Sequence, residues 1–294
     1  MSAVNRVRLI KTMRAENKKA YRQNNGFLYV ILGVVLLFLL FPVYWILVTS
    51  LHNNSELMQL PPKWFPLHAT LASYTEILKS AVFLTFYKNT LLVASGATIL
   101  CIIVSIFAGY ALSRFQFKGS NLLTLLFLSA QMFPTVTLVI GLYSQYQALH
   151  LLNTLYVLIL ASTSTSLPFS IMLMRTFFNG ISKELEEAAE IDGASRFKTL
   201  FMIIVPLSKP GIMAIGIYTF LIAWDDFLFG LTLVSDIGKR TLSPGLSLTY
   251  LGEYAANWSG ATAAAAAATL PLLIAFMFLQ RYMVEGLTAG GVKE

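Results

Sequence analysis

Long apolar runs separated by shorter polar ones set the plan of this chain. Six runs stand out, about Phe27–Ser50, Asn89–Leu112, Leu122–Tyr143, Leu155–Phe177, Gly211–Val234 and Gly260–Tyr282. At about 1.5 Å rise per residue, each is long enough to cross roughly 30 Å of hydrocarbon. The pattern predicts an all-α polytopic membrane protein with six transmembrane helices. Residues 1–26 read as a polar basic tail and 27–50 as the first helix. Residues 51–84 form a loop, where Pro61-Pro62-Lys63-Trp64-Phe65-Pro66 breaks any helix and offers aromatics suited to a membrane interface. Residues 85–283 hold the other five helices, with polar loops at about 176–210 and 235–259, and 284–294 form a C-terminal tail. Small residues (Ser95, Gly96, Ala97, Ser105, Ala108, Gly109, and Ala263 to Ala268) predict close helix contact. Pro42 is placed to kink the first helix. The hydroxyls of Ser162-Thr163-Ser164-Thr165-Ser166 can bond backbone carbonyls and absorb Pro168.

Composition agrees: 56% of residues are hydrophobic, 12% are charged and the mean hydropathy is +0.69, where a soluble domain carries about 25% charged residues. The net charge of +7 is explained by its distribution. With a cytoplasmic N-terminus, only Lys63, Lys79, Lys88, Lys239 and Arg240 of the 21 Lys and Arg lie outside. The positive-inside rule therefore puts both termini and the 176–210 loop in the cytoplasm. Basic charge spread in this way argues against nucleic acid as a partner, and the basic tail reads as hugging membrane lipid. Cys101 lies in an apolar run and reads as packing. The basic N-terminus has no small-residue cleavage site after the first run, which predicts an uncleaved first helix. His52, His68 and His150 lie in loops without metal-ligand spacing, and no glycine loop with lysine cradles phosphate. The chain is expected to be no enzyme and to hold neither metal nor ATP.

The 176–210 loop is the most polar long segment between two apolar ones. Ser182 can cap a helix whose first turns hold Glu184, Glu186 and Glu187, where carboxylates meet free N–H groups and the positive dipole end. Gly193 can take the left-handed conformation that stops it. Ser195 then starts a second helix, Arg196 to Val205, limited by Pro206. Leu185, Ala188, Ala189 and Asp192 fall at helical spacing, and the two alanines leave a face almost bare. This suits either a solvated amphipathic loop or a helix that docks on another protein. Asp225 and Asp226, beside Trp224, are the acids well inside a span. They suit a hydrophilic path for a polyhydroxylated solute, with Trp224 stacking on a sugar face, or a solvated break near the outer surface. Gln131 suits the same path or an interhelix hydrogen bond. Ser164 and its hydroxyl run suit helix packing or solute contact.

Three motifs carry a family resemblance. Glu187-Ala188-Ala189, Gly193, Ile203 and Pro206, with Val205 where leucine is usual, resemble the signature loop of permease subunits of binding-protein-dependent ABC importers. Tyr110-Ala111-Leu112-Ser113-Arg114-Phe115 and Gly286-Leu287-Thr288-Ala289-Gly290-Gly291-Val292-Lys293 add likeness to the maltose-type, carbohydrate uptake permeases. The resemblance covers nearly all of the chain after residue 26. It implies the ABC importer type I transmembrane domain, and a heterodimer with a homologous second permease. It also implies two ATP-binding subunits that carry ATP and Mg, and an extracytoplasmic solute-binding protein facing the 235–259 loop. Glu187, Ala188, Ala189, Asp192, Gly193, Ile203 and Pro206 would couple to the ATPase, and Thr288, Ala289, Gly290, Gly291, Val292 and Lys293 would reach it as a tail. The pathway would draw on Gln131, Ser164, Trp224, Asp225 and Asp226. In sugar permeases the position of Asp225 is often an amide. The solute read here is a sugar or oligosaccharide. A glycerol-phosphate ester would need a cationic pathway, which the spans lack, and a secondary carrier would work without an ATPase.

Overall fold

The computed structural model describes residues 26–66, 68–251 and 257–289, and the basic tail and residues 290–294 lie outside them. Helices make up the regular structure of the described residues. Helix α1 spans Gly26–Ser50 and runs through Pro42. Two short helices, Asn54–Leu57 and Ala72–Lys79, follow. Then come α2 (Ala81–Arg114), α3 (Ser120–Ala130), α4 (Thr135–Ala148) and α5 (Leu155–Asn179). The polar loop holds α6 (Glu184–Ile191) and α7 (Arg196–Leu207). The chain continues as α8 (Lys209–Trp224), α9 (Leu228–Leu233), α10 (Leu242–Tyr250) and α11 (Trp258–Ala289).

Helix α2 is the axis of the bundle. It packs most extensively on α5 and then on α8, while α8 also packs on α5 and α11. The seam is made of small side chains: Ala94, Ala97, Cys101 and Ser105 are 0% exposed, as are Ala263 and Ala264 of α11. Lipid tails are as apolar as leucine, so helices associate through close backbone approach rather than burial of bulk. A Cβ on Gly109 would sit 2.8 Å from Met174 Cβ and 3.1 Å from the Arg175 amide nitrogen. The glycine sets how near α2 and α5 come. Helix α1 stands apart, packed chiefly on α11. Its apolar side chains are exposed along most of its length, and burial begins only at Val48, Thr49 and Ser50. There Ser50 Oγ lies 2.7 Å from Tyr74 Oη, and Ser259 Oγ donates to the His52 carbonyl at 2.7 Å. Trp45 and Trp64 meet edge to face at 5.5 Å, forming the interfacial aromatic group expected of that loop.

The apolar runs do not all become single rods. The third run is broken over Gln131–Pro134, where α3 and α4 meet at 107°. Pro134 has no N–H to continue the ladder, and its ring disfavours helix in the residue before it. The fifth run stops at Trp224 and restarts at Leu228. Among the described residues, three helices are long and apolar enough to cross a membrane, or up to five if each bent pair is one span, and Trp258–Ile274 is a shorter apolar stretch. The expected count of six is therefore not reached on this criterion. Helix α2 begins at Ala81, well before Asn89, because Ser80 Oγ caps it by accepting the Phe83 N–H at 3.3 Å. Residues 238–242 of the loop after the fifth run are folded against α2. Asn89 Nδ2 donates to the Gly238 and Arg240 carbonyls at 3.0 and 2.9 Å, and Thr90 Oγ1 accepts the Leu242 N–H at 2.8 Å.

Candidate functional site

Two places gather the polar chemistry of the chain, the α6–α7 hairpin and a central cavity. In the hairpin, Ser182 Oγ accepts the Glu184 N–H at 3.3 Å, but Ser182 lies one residue before the N-cap position, which is Lys183 and makes no side-chain capping bond. Gly193 stops α6 with φ of +81°. Its N–H reaches the Glu190 carbonyl at 3.0 Å and the Ala194 N–H reaches that of Ala189 at 2.9 Å. This pair of bonds is the Schellman arrangement, which a left-handed residue makes possible. Ser195 Oγ caps α7 through the Lys198 N–H at 3.3 Å. The second helix does not end before Pro206. A π-turn over Leu200–Ile204, with the Val205 N–H on the Leu200 carbonyl, carries it through Pro206 to Leu207. The wider turn accommodates a residue that cannot donate. The hairpin arm then meets α8 at 77°.

The faces of α6 differ from the sequence pattern. Ala189 turns inward at 7% exposed, while Ala188 and Asp192 are exposed. Leu185 and Ile191, 45% and 86% exposed, border Ala188, so the outer face carries apolar side chains as well as an alanine. Glu187, Gly193 and Pro206 are exposed too, and Ile203 packs on the core beneath.

Glu186, one residue before the resemblance motif, makes the inward contact. Its carboxylate accepts the Arg114 Nε–H at close range and the Tyr110 Oη–H at 2.8 Å. Arg114 also donates to the Ile181 carbonyl at 3.0 Å and to Ser113 Oγ at 3.1 Å. The pair is well shielded, its side chains 7% and 17% exposed. Aromatic contacts extend the seat: Phe197 stacks on Phe107 at 6.4 Å and Arg196 lies 5.3 Å over the Phe115 ring. The turn Tyr110–Phe115 is thus the seat of α6. A guanidinium at the end of a span needs a carboxylate partner, and that signal was available in the sequence.

The second place is a cavity of about 680 Å³ in the elbow of α3 and α4, walled by α5 and α8. Gln131, Ser164 and Asp226 all line it. Asp226 caps α9: its Oδ1 accepts the Phe229 N–H at 3.2 Å and its Oδ2 the Gly230 N–H at 2.9 Å. Trp224 and Asp225 instead border a separate hollow towards α10 and α11. The Trp224 ring, 8% exposed, is packed between Tyr87 and Phe220, each centroid 5.5 Å away. Phe169 and Tyr218, centroids 4.4 Å apart, line the central cavity along with Phe133 and Phe229. Nothing in the sequence separates these rings from lipid-facing ones. Thr163 and Ser164 donate to the Ile159 and Ala161 carbonyls, as the hydroxyl run suggested. Thr288 and Ala289 end α11, and Gly290, Gly291, Val292 and Lys293 lie outside the described residues. Among the described residues no His, Cys, Asp and Glu cluster could hold a metal.

Residues 101–288 match the family described as binding-protein-dependent transport system inner membrane component. The sulfoquinovosyl glycerol transport system permease protein SmoH of Agrobacterium fabrum is 40% identical over 265 residues, covering 90% of this chain and 93% of that protein. The trehalose/maltose transport system permease protein MalG of Thermococcus litoralis is 34% identical over 268 residues, 90% and 96% of the two chains. Among solved structures, a bacterial ABC transporter involved in the import of the acidic polysaccharide alginate gives a TM-score of 0.75, covering 96% of this chain and 98% of the other. At 21% identity that likeness concerns the fold.

Proposed function

We propose, from the premise that this chain belongs to the binding-protein-dependent transport system inner membrane component family, that it forms half of the translocation pathway for a sugar or oligosaccharide. It is a permease subunit of an ATP-driven importer and not an enzyme. Relatives spanning nine-tenths of the chain are permeases of sulfoquinovosyl glycerol and trehalose/maltose systems, and that observation carries the saccharide reading. In this reading the chain pairs with a homologous permease and works with two ATP-hydrolysing subunits, which hold ATP and Mg, and with an extracytoplasmic binding protein. Both termini and the hairpin face the cytoplasm.

The division of labour follows the two polar places. The outer face of α6, with Glu187, Ala188 and Asp192 exposed, enters the ATPase surface. Gly193, Ile203 and Pro206 keep the hairpin's shape, and the segment 288–293 reaches the same subunit. The solute passes the elbow cavity, where Gln131, Ser164 and Asp226 offer polar contacts. Trp224 and Asp225 shape the pathway from behind.

The test is reconstitution. Proteoliposomes holding the assembled importer should take up a saccharide only with ATP inside and binding protein outside. Ala188→Cys should crosslink to the ATPase, and Glu187→Lys should abolish uptake while the subunits still co-purify. Uptake without the ATPase, or a crosslink to no ATP-hydrolysing neighbour, would overturn the assignment.

A further inference from the structure

The two arms of the hairpin carry opposite charge. Glu184 to Asp192 holds five acids and no cation, whereas Ser195 to Lys209 holds Arg196, Lys198 and Lys209 and no acid. Beside those cations α7 shows a broad apolar face. Phe197 and Met202 are each 65% exposed, and Phe201 and Leu207 are exposed as well. Phe197 and Phe201 meet at 4.7 Å between ring centroids, and they reach Phe107 of α2 at 6.4 and 6.0 Å. The three rings form one cluster that stays open on its outer side. A patch of this kind marks a surface for protein or membrane.

The geometry favours the membrane. Helix α7 meets α8 at 77°. With α8 crossing the bilayer at an ordinary tilt, α7 lies close to the membrane plane at one edge of the hydrocarbon. Phe107 also ends a stripe on α2. Ile99, Ile103 and Phe107 follow one another four residues apart, on one face, and all are exposed. Helix α2 is long and apolar enough to span, so acyl chains along that stripe would run into the aromatic cluster without a break. Arg196 is held over the Phe115 ring, but Lys198 and Lys209 are exposed. Their stems can lie along the apolar face while the ammonium groups reach the headgroups. An apolar face flanked by lysines is the pattern of a helix that lies in the interface. The acidic arm α6 is repelled by the same surface and turned toward water.

We propose that α7 is an interfacial helix: Phe197, Phe201 and Met202 lie among the acyl chains of the leaflet on the hairpin's side, and Lys198 and Lys209 meet the phosphates of its anionic lipids. The membrane surface then holds one arm of the hairpin while the other stays free for a protein partner. This role goes beyond the importer reading and depends on no particular solute.

The test uses the importer assembled from otherwise cysteine-free subunits, in nanodiscs of phosphatidylcholine with about one quarter phosphatidylglycerol. A spin label on Met202→Cys should collide often with oxygen and seldom with a water-soluble nickel chelate, as a label on Ile103→Cys of the stripe does. Frequent collision with the chelate would place the face in water, and rare collision with either reagent would place it against a protein subunit. Either result overturns the proposal. The charge contact is read by hydrogen exchange of the Phe197 to Met202 amides. Replacing phosphatidylglycerol by phosphatidylcholine should speed it by about fivefold for each lysine that reaches the surface. In Lys198→Gln with Lys209→Gln that lipid dependence should vanish, with all subunits still co-eluting. Exchange indifferent to phosphatidylglycerol in the parent would overturn the headgroup contact.

Discussion

Removing the Glu186 carboxylate should loosen α6 from the bundle without unfolding it. In Glu186→Ala the Arg114 side chain, 7% exposed, loses its counter-charge, and Tyr110 Oη loses its acceptor at 2.8 Å. Breaking a buried pair by deleting one partner costs about 3–5 kcal/mol. Glu186 itself is 17% exposed, so water can partly replace it, and the lower end, about 3 kcal/mol, applies here. The Phe197–Phe107 stack and the packing of Ile203 and Ile204 still hold α7. The loss should therefore appear as local opening of α6. Hydrogen exchange of the Ala188 to Asp192 amides in the purified complex should quicken by roughly 100-fold, with little change in α2 and α5. On the proposal that α6 docks on the ATPase, ATP hydrolysis should at the same time become less dependent on loaded binding protein. The double variant Arg114→Met with Glu186→Leu should recover much of the protection, because an apolar pair in place of a buried ion pair is often neutral. Unchanged exchange in Glu186→Ala, or a double variant as loose as the single one, would refute the seat described for α6.

Three further outcomes are expected. Gly193→Ala should cost about 1 kcal/mol, because φ is +81° and a Cβ there meets no atom within 4 Å; the penalty is backbone alone. Gly193→Val should lower uptake much further, read against equal membrane levels. Gly109→Ala should cost about 1–3 kcal/mol by forcing α2 from α5, seen as reduced yield of folded complex. Gly216→Ala, where the nearest atom is a flexible Ile102 side-chain carbon at 3.4 Å, should be tolerated. Equal yields from the two would contradict the seam. Asp226→Ala should weaken the α9 cap by about 1 kcal/mol, detected as faster exchange of the Phe229 and Gly230 amides; unaltered exchange would mean that the cap contributes nothing.

Much of this architecture was legible from residue order because membranes impose coarse rules. Long apolar runs had to become helices, and small residues such as Ala97, Gly109 and Ala263 had to mark the seams. The hairpin was legible as well, since Ser182, Gly193 and Ser195 act through bonds made within a few residues. What escaped was set by tertiary direction. Ala188 and Ala189 look alike in a pattern, yet one faces out and the other in. Glu186 and Glu187 divide in the same way, and only the position of Arg114 decides which is tied down. Trp224 looked like a stacking platform because its neighbours are acids, but Tyr87 and Phe220 enclose it. The elbow at Pro134 was hidden because the apolar run continues through it, and hydropathy does not register a missing N–H.

Helix α1 illustrates a freedom that the rest of the chain lacks. From Leu32 to Leu40 it shows surrounding molecules much the same oily surface on every side. No particular azimuth is demanded of it, and one aliphatic residue there serves as well as another. The tether is at the far end, where Ser50 and His52 bind the bases of neighbouring helices. The segment behaves as a mast stepped at a single foot, so its letters can drift over evolutionary time while those at the foot are held.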